Sequence, residues 1–235
     1  MIQNSLSGTG MCRIGGVDGC PGGWILAIEN HDGTTTVEVV KRFADIVARR
    51  DLRIVVVDIP IGLLQKGTRE VDAEARKMLR KRACCVFTAP IRPILKASCW
   101  EEACSIGFEI EHKKVTRQTW GIIPKVIEVD DMMNPQLQEQ IREGHPEVSF
   151  AEMNEGRAIA EKKKSLEGRR LRLDLLRKGF GDVDKSVAES GPLQSDVIDA
   201  YAMLWTARRV RAGEYRRIPI VLLRDCRGLA MEMVI

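Results

Sequence analysis

Two apolar segments of this chain each end on an aspartate that leads into a turn containing glycine. The first, RIGGVD, ends at Asp18 and is followed by GCPGG, and the second, RIVVVD, ends at Asp58 and is followed by IPIG. A continuous apolar run is typical of a strand that is buried on both faces of a sheet. Functional groups in open α/β sheets collect at the carboxyl ends of such strands. If the two strands are parallel neighbours, Asp18 and Asp58 therefore lie close together.

The segments around these strands predict an α/β fold. WILAIE and TTTVEVV, separated by the turn sequence NHDG, predict a β-hairpin directly after the first strand. FADIVARR predicts a short helix, and TREVDAEARKMLRKRA predicts a longer one with Thr68 as its N-cap. HPEVSF predicts a short strand entered through Pro146, GPLQSDVIDAYAMLWTARRV predicts a long amphipathic helix, and RIPIVLLRDCRGLAMEMVI predicts a closing β-hairpin.

The chain shows no internal repeat and no low-complexity linker, which favours one domain. We expect residues 1–12 to form a flexible N-terminal tail. We expect residues 13–235 to form the domain, with a helical insertion near residues 68–135. A hydrophobic content of 44% over 235 residues is enough for one sizeable core.

Composition also restricts the location and the partners of the protein. No apolar run approaches the roughly 20 residues that span a bilayer, so we expect no membrane partner. The polar start MIQNSLSGTG lacks the features of a secretory signal. Seven cysteines without a Cys-x-x-Cys pair predict reduced thiols in the cytoplasm. The net charge of +4 is compatible with an anionic partner.

Two further carboxylates, Asp196 and Asp199, stand three residues apart near the start of the long late helix, so they share one helix face. Like charges about 4 Å apart repel by about 4 kcal/mol at an effective dielectric of about 20. The dipole at a helix N-terminus stabilises each acidic side chain by only about 0.3–1 kcal/mol. If this helix packs across the strand ends that carry Asp18 and Asp58, the cluster needs a cation. Hard oxygen ligands of this type suit Mg²⁺ or Mn²⁺.

Each of these residues also has a structural interpretation. Asp18 could be a turn residue whose side chain forms a hydrogen bond with its own backbone, and Asp58 could cap the end of its strand. Asp196 could be an ordinary acidic residue of a first helical turn, with Ser195 as the helix cap. His145 could be a structural residue that forms hydrogen bonds. The combination favours a site, because independent structural roles do not predict acids at two strand ends and at one helix start.

The stretch from Arg157 to Lys178 contains nine basic and three acidic residues, a local net charge of +6. Such a run is typical of a solvated helix face, but it also suits contacts to a phosphate backbone. We therefore consider four residues as candidate phosphate ligands: Lys163, Lys164, Arg169 and Arg76.

The order of the motifs GVDGCPGGW, VVVDIPIGL, VFTAPIRP, EGHPEVSF and SDVIDAYAMLWTA resembles domain-of-unknown-function family 429, described as predicted nucleases with an RNase H-like fold. The resemblance implies a mixed central sheet, with an antiparallel three-strand meander plus parallel strands, flanked by helices. It also implies that Asp18, Asp58 and either Asp196 or Asp199 hold two divalent ions. The family's E-x-H-P-E block matches Glu143, His145 and Glu147, which form a further part of the expected site.

The expected function is metal-dependent phosphodiester hydrolysis, by a nuclease that uses two Mg²⁺ or Mn²⁺ ions. In this hypothesis Asp18 bridges the ions, Asp58 and Asp199 each complete one coordination sphere, and Glu147 or His145 orients the water. Asp199 is the expected closer ligand, because Asp196 is better placed to complement the helix terminus.

Other functions and partners stay open at this point. A non-catalytic nucleic-acid-binding or scaffold protein of the same fold is the main alternative to a nuclease. An actin-like or sugar-kinase-like ATPase is another, although such proteins duplicate the domain and this chain has one glycine-rich hairpin of that kind. The substrate is nucleic acid or another phosphoester, and a homodimer is a further possibility.

Overall fold

A mixed five-stranded sheet organises the chain in the computed structural model, which describes residues 12–235. Within these residues, seven strands in two sheets have the following bounds: β1 Arg13–Cys20, β2 Gly23–Glu29, β3 Thr35–Val40, β4 Leu52–Val57, β5 Ile141–Glu143, β6 Arg217–Arg224 and β7 Ala230–Val234. Eight α-helices accompany them: α1 Phe43–Val47, α2 Glu70–Leu79, α3 Trp100–Glu111, α4 Arg117–Met132, α5 Pro146–Met153, α6 Leu166–Arg177, α7 Val183–Glu189 and α8 Gln194–Ala212. The predicted tail falls almost entirely on residues 1–11, which lie outside the described residues.

The central sheet has the strand order β3-β2-β1-β4-β5. Strands β1, β2 and β3 pair antiparallel, whereas β4 pairs parallel with both β1 and β5. Val17 of β1 pairs with Val57 of β4, so Asp18 and Asp58 follow neighbouring positions at one sheet edge. These pairings confirm the predicted α/β class, the predicted meander and the parallel neighbours. The RNase H-like assignment itself stays a prediction.

Helices cover both faces of this sheet. One face contributes Ile14, Ile25 and Val56 to a core that includes buried residues of α8. The other face contributes Val17 and Val55, among others, to a core with α4. Strands buried on both faces need apolar residues at nearly every position, which explains the continuous apolar runs of β1 and β4.

Helix α8 approaches β1 unusually closely at Gly16. A side-chain carbon at this position would lie 2.0 Å from the backbone nitrogen of Leu204 in α8. Only glycine permits this approach, which places the first turns of α8 across the carboxyl end of β1. Asp199, in the second turn, is thereby brought to the sheet edge that carries Asp18.

The segment between β4 and β5 contains helices α2, α3 and α4, where the sequence predicted a helical insertion. The division of the chain into a tail and one domain stays a prediction. The closing hairpin is confirmed, because β6 pairs antiparallel with β7 in a second, two-stranded sheet. No helix within the described residues is long and apolar enough to cross a membrane.

Three local predictions were wrong. HPEVSF forms helix α5 rather than a strand, because Pro146 occupies the first helical turn, where its fixed backbone angle suits a helix start. Helix α2 has Arg69 rather than Thr68 at its N-cap position. Helix α8 begins at Gln194, so Ser195 lies inside the first turn and does not cap it.

Candidate functional site

A cavity of about 550 Å³ opens at the carboxyl ends of β1, β4 and β5. It is lined by nine of the eleven residues predicted from the sequence to form the site: Asp18, Asp58, Glu143, His145, Glu147, Lys163, Lys164, Asp196 and Asp199. The topology explains this convergence, because parallel neighbouring strands end at one edge and α8 crosses that edge. The two remaining residues, Arg76 and Arg169, do not line the cavity.

Asp18, Asp58 and Asp199 form the central carboxylate cluster. Asp18 is 8% exposed and Asp199 is 3% exposed. Burial and the nearby carboxylates of Asp199 and Asp58 hold the pKa of Asp18 well above its usual value. Burial also raises the pKa of Asp58, although His145 and Lys163 oppose this change. The three groups are therefore close enough to disfavour one another's charge.

Asp199 combines an ion pair with an unsatisfied atom. Its Oδ2 accepts a hydrogen bond from Lys163 Nζ at 2.7 Å, whereas its buried Oδ1 has no hydrogen-bond partner among residues 12–235. Burial raises the pKa of Asp199 to about 6, although the Lys163 ammonium opposes this change. An unsatisfied buried carboxylate oxygen costs free energy, so it marks a place where a further donor or a cation would be stabilising.

Asp196 lies in the same cavity but in a more open place. Its side chain is half-buried, and burial raises its pKa while three lysines, Lys163, Lys164 and Lys125, lower it. Asp199 has a larger effect than Asp196 on the pKa of Asp18. The structure therefore places Asp199 closer to the centre of the carboxylate cluster and Asp196 towards its rim.

Two of the predicted glutamates are held by buried arginines. Arg69 donates hydrogen bonds to both oxygens of Glu143, at 2.7 and 2.9 Å, and one to Asp72 at 2.6 Å. Arg172 donates to both oxygens of Glu147 at 2.7 Å. These pairs neutralise the glutamates and fix their positions on the cavity wall, which favours a structural role for both.

His145 stands between Glu143 and Glu147 in the sequence and is bonded more weakly. Its Nε2 lies 3.3 Å from the carbonyl oxygen of Cys85. Its buried Nδ1 has no partner in the described part of the chain. The imidazole lowers the pKa of Asp58, which shows that the two groups interact. The imidazole of His145 therefore lies beside the carboxylate cluster, and its ring nitrogen without a partner among the described residues is buried.

The two predicted phosphate ligands outside the cavity are engaged elsewhere. Arg76 donates to the carbonyl oxygen of Val86 at 3.1 Å and to the hydroxyl of Thr88 at 2.8 Å. Arg169 donates to Gln194 in the first turn of α8. Both arginines tie loops or helices together, so the structure does not bring them to the carboxylates.

Several cavity residues were missed by the sequence analysis, namely Lys162, Lys125, Arg82 and Phe87. Lys162 belongs to the same basic run as Lys163, so the charge pattern could have identified it. Lys125 donates a hydrogen bond to the carbonyl of Gly23 and lies 4.3 Å from the centre of the Trp24 ring. No sequence pattern singles out Arg82 or Phe87, since only the path of the chain after α2 places them there.

The carboxylates of the cluster have the chemical type that a divalent cation prefers, but they are not arranged in a preformed metal site. Within residues 12–235, no group of three or more histidine, cysteine or acidic side chains has the arrangement of a metal site. The cluster nevertheless offers hard carboxylate oxygens, the type that Mg²⁺ and Mn²⁺ prefer. A bound cation would stabilise both Asp18, whose pKa is raised, and Oδ1 of Asp199, which has no partner among the described residues.

Comparison with known proteins identifies a family but no individual relative. No curated protein and no solved structure matches the chain. Residues 16–222 match a family model described as "Protein of unknown function (DUF429)". The match covers most of the 235 residues and includes all the carboxylates of the cluster. The chain therefore belongs to the DUF429 family.

Proposed function

We propose that this protein is a metal-dependent phosphodiester hydrolase, and that its substrate is nucleic acid. The observation that carries the proposal is the cluster of Asp18, Asp58 and Asp199, three carboxylates at one sheet edge that face a cavity. Their mutual repulsion is only partly relieved by Lys163, and one buried oxygen of Asp199 has no partner among the described residues. A structural role does not explain this cost, whereas a role as cation ligands does.

The cations would be held by Asp18, Asp58 and Asp199, with Asp196 at the rim. When bound, Mg²⁺ or Mn²⁺ ions supply charge stabilisation to a phosphoryl group and lower the pKa of a water molecule. The strand order, with an antiparallel meander joined to parallel strands, supports the RNase H-like assignment that the sequence resemblance implies. The use of two ions follows from that resemblance and is part of the proposal.

The protein's own residues account for the other requirements of the reaction. Lys162 and Lys164 line the cavity and attract a phosphodiester to it. His145 lines the cavity beside Asp58, and in this proposal its imidazole orients the attacking water. Arg172 and Arg69 hold Glu147 and Glu143 in place, so these glutamates shape the wall beside His145.

Metal binding and turnover test the proposal together. Mn²⁺ should raise the melting temperature, because a ligand that binds only the folded state stabilises it. Asp18→Asn should abolish both this shift and the Mn²⁺-dependent hydrolysis of bis(p-nitrophenyl) phosphate. Asp131→Asn is the matched control, because Asp131 is exposed at the end of α4 and does not line the cavity. An unchanged melting temperature with no calorimetric binding of Mn²⁺ would refute the metal site.

A second candidate function is non-catalytic binding of nucleic acid on the same fold. The Lys163–Asp199 ion pair favours it, because the ammonium already neutralises part of the carboxylate charge. A protein of this kind would bind nucleic acid equally well with and without Mg²⁺ and would show no turnover. The predicted cytoplasmic location belongs to the proposal in either case, and the homodimer stays a prediction.

A further inference from the structure

The cavity has three walls besides the sheet edge that carries the carboxylates. The first wall follows α2 and contains Arg82 and Phe87, and the second is the face of α4 with Gln118 and Ile122. The third is the loop of lysines 162–164. Ligand pockets of about 300–1,000 Å³ enclose single small ligands, so a cavity of about 550 Å³ is suited to one nucleotide.

Phe87 presents an aromatic ring to this cavity. The side chain is 43% exposed, although large apolar residues of this chain are mostly buried. Its ring makes no aromatic contact with any ring in the described residues. An unpaired base stacks favourably on such a ring, and every base can do so because each has an aromatic face.

Arg82 supplies a second, independent feature of the same wall. Its side chain forms no hydrogen bond or ion pair with the described residues, and its Nε is buried without a partner. Most other cavity cations are engaged: Lys163 binds Asp199, and Lys125 binds the carbonyl of Gly23. A guanidinium with unused donors matches the two oxygens of a phosphate group.

We propose that the site accepts an unpaired nucleotide of a single strand, with its base on Phe87 and a phosphate on Arg82. This inference deepens the proposed function and rests on the same carboxylate cluster for the position of the scissile phosphate. Lys162 and Lys164 then contact the phosphates of the continuing strand, because both are exposed beside the cavity. A duplex is excluded because its bases are already stacked on one another.

Fluorescence anisotropy in EDTA measures this binding without cleavage. A short fluorescein-labelled single strand should bind the wild type at least tenfold more tightly than the same strand in a blunt duplex. Phe87→Ala should weaken single-strand binding by roughly tenfold, and Phe87→Trp should restore it. Phe108→Ala is the matched control, because Phe108 is 57% exposed on α3 and lies outside the cavity.

Arg82→Ala should also weaken binding and should reduce the dependence of affinity on salt, since one phosphate contact is lost. Arg53→Ala is its control, because Arg53 is exposed near the start of β4, at the opposite end of the sheet from the carboxylates. Melting temperatures of all variants should stay close to the wild type. Equal affinity for strand and duplex, or unchanged binding by Phe87→Ala, would overturn the inference.

Two further measurements separate this inference from the proposed function. A nucleoside monophosphate that competes as strongly as the strand would overturn the assignment to a strand. Hydrolysis of bis(p-nitrophenyl) phosphate, which carries no nucleobase, tests the carboxylates alone. Diester hydrolysis without preferential strand binding overturns only the inference, whereas strand binding that depends on Phe87 without hydrolysis overturns only the proposed function.

Discussion

Two groups of buried carboxylates differ in what neutralises them. Glu143 and Glu147 each share both oxygens with a buried arginine, Arg69 or Arg172. The carboxylates of Asp18 and Asp58 accept no hydrogen bond and form no ion pair within the described residues, and Asp199 has one lysine. Asp18 and Asp199 are as buried as the two glutamates, whereas Asp58 is partly exposed, so burial alone does not distinguish the two groups. The lack of a matching guanidinium does.

The difference has an energetic meaning. A buried carboxylate with a bidentate arginine keeps its hydrogen bonds, although the pair adds little net stability. A buried carboxylate beside other carboxylates destabilises the fold unless it binds a cation or a proton. Repulsion within the cluster of Asp18, Asp58 and Asp199 thus destabilises the metal-free fold at the place where we propose that catalysis occurs.

The largest expected effect on stability comes from removing an arginine that is paired with a buried glutamate. Arg69→Met should lower the free energy of unfolding by about 3–5 kcal/mol, because it leaves the buried carboxylates of Asp72 and Glu143 without a cation. Arg170→Met is the control, since its pair with Glu167 is exposed and should contribute little stability. Urea denaturation measures both. Similar losses in the two variants would show that burial does not distinguish these pairs.

The stability of the protein should depend on pH through buried carboxylates of both groups. The pKa of Asp199 is raised from 3.8 to about 6, so between these values the folded state keeps a proton that the unfolded state has released. Without metal, the free energy of unfolding should therefore fall as the pH rises from about 4 to about 6. The total decrease from this group should be on the order of 2–3 kcal/mol.

Asp199→Asn should remove this part of the slope. Glu143 has its pKa raised from 4.5 to about 7, mainly by burial, and it adds a similar fall that the variant keeps. The difference between wild type and variant therefore reports on Asp199 together with Asp18, whose pKa is raised by Asp199. Denaturation at several pH values in EDTA measures it, and parallel curves for the two proteins would contradict the assignment.

A smaller effect is expected from the lysine of the cluster. Lys163→Met should increase the affinity for Mn²⁺ by about tenfold, because the cation no longer displaces an ammonium that is bonded to Asp199. Lys164→Met should change the affinity much less, since Lys164 lines the same cavity but has no ion pair with a carboxylate of the described chain. Isothermal titration calorimetry compares the two variants. Weaker Mn²⁺ binding by Lys163→Met would mean that the lysine assists the site.

The smallest effect separates the two aspartates of α8. Asp196→Asn should change Mn²⁺ affinity by less than about threefold and stability by less than about 1 kcal/mol, because Asp196 is half-exposed at the rim. Asp199→Asn should abolish binding and metal-dependent turnover. The reverse order would place the ions at Asp196, and equal losses would mean that both aspartates hold them.

The positions of the carboxylates could be predicted from the sequence, whereas their partners could not. Apolar runs and their terminal aspartates determine where Asp18 and Asp58 lie, because a buried parallel strand leaves few alternatives. The pairs Arg69–Glu143 and Arg172–Glu147 join residues 74 and 25 positions apart, and no local pattern encodes such distances. For the same reason Arg76 and Arg169 were plausible phosphate ligands until their hydrogen bonds were known.

The contact of Gly16 with α8 also determines when the site forms during protein synthesis. Asp18 and Asp58 are translated early, but Asp199 lies near the other end of the sequence. At a ribosomal rate of about 5–20 residues per second, the third carboxylate follows Asp58 by on the order of 10 s. Until α8 docks on Gly16, the nascent chain has an incomplete set of ligands. Under the proposed function, hydrolysis therefore requires that α8 has been synthesised and has docked on the sheet.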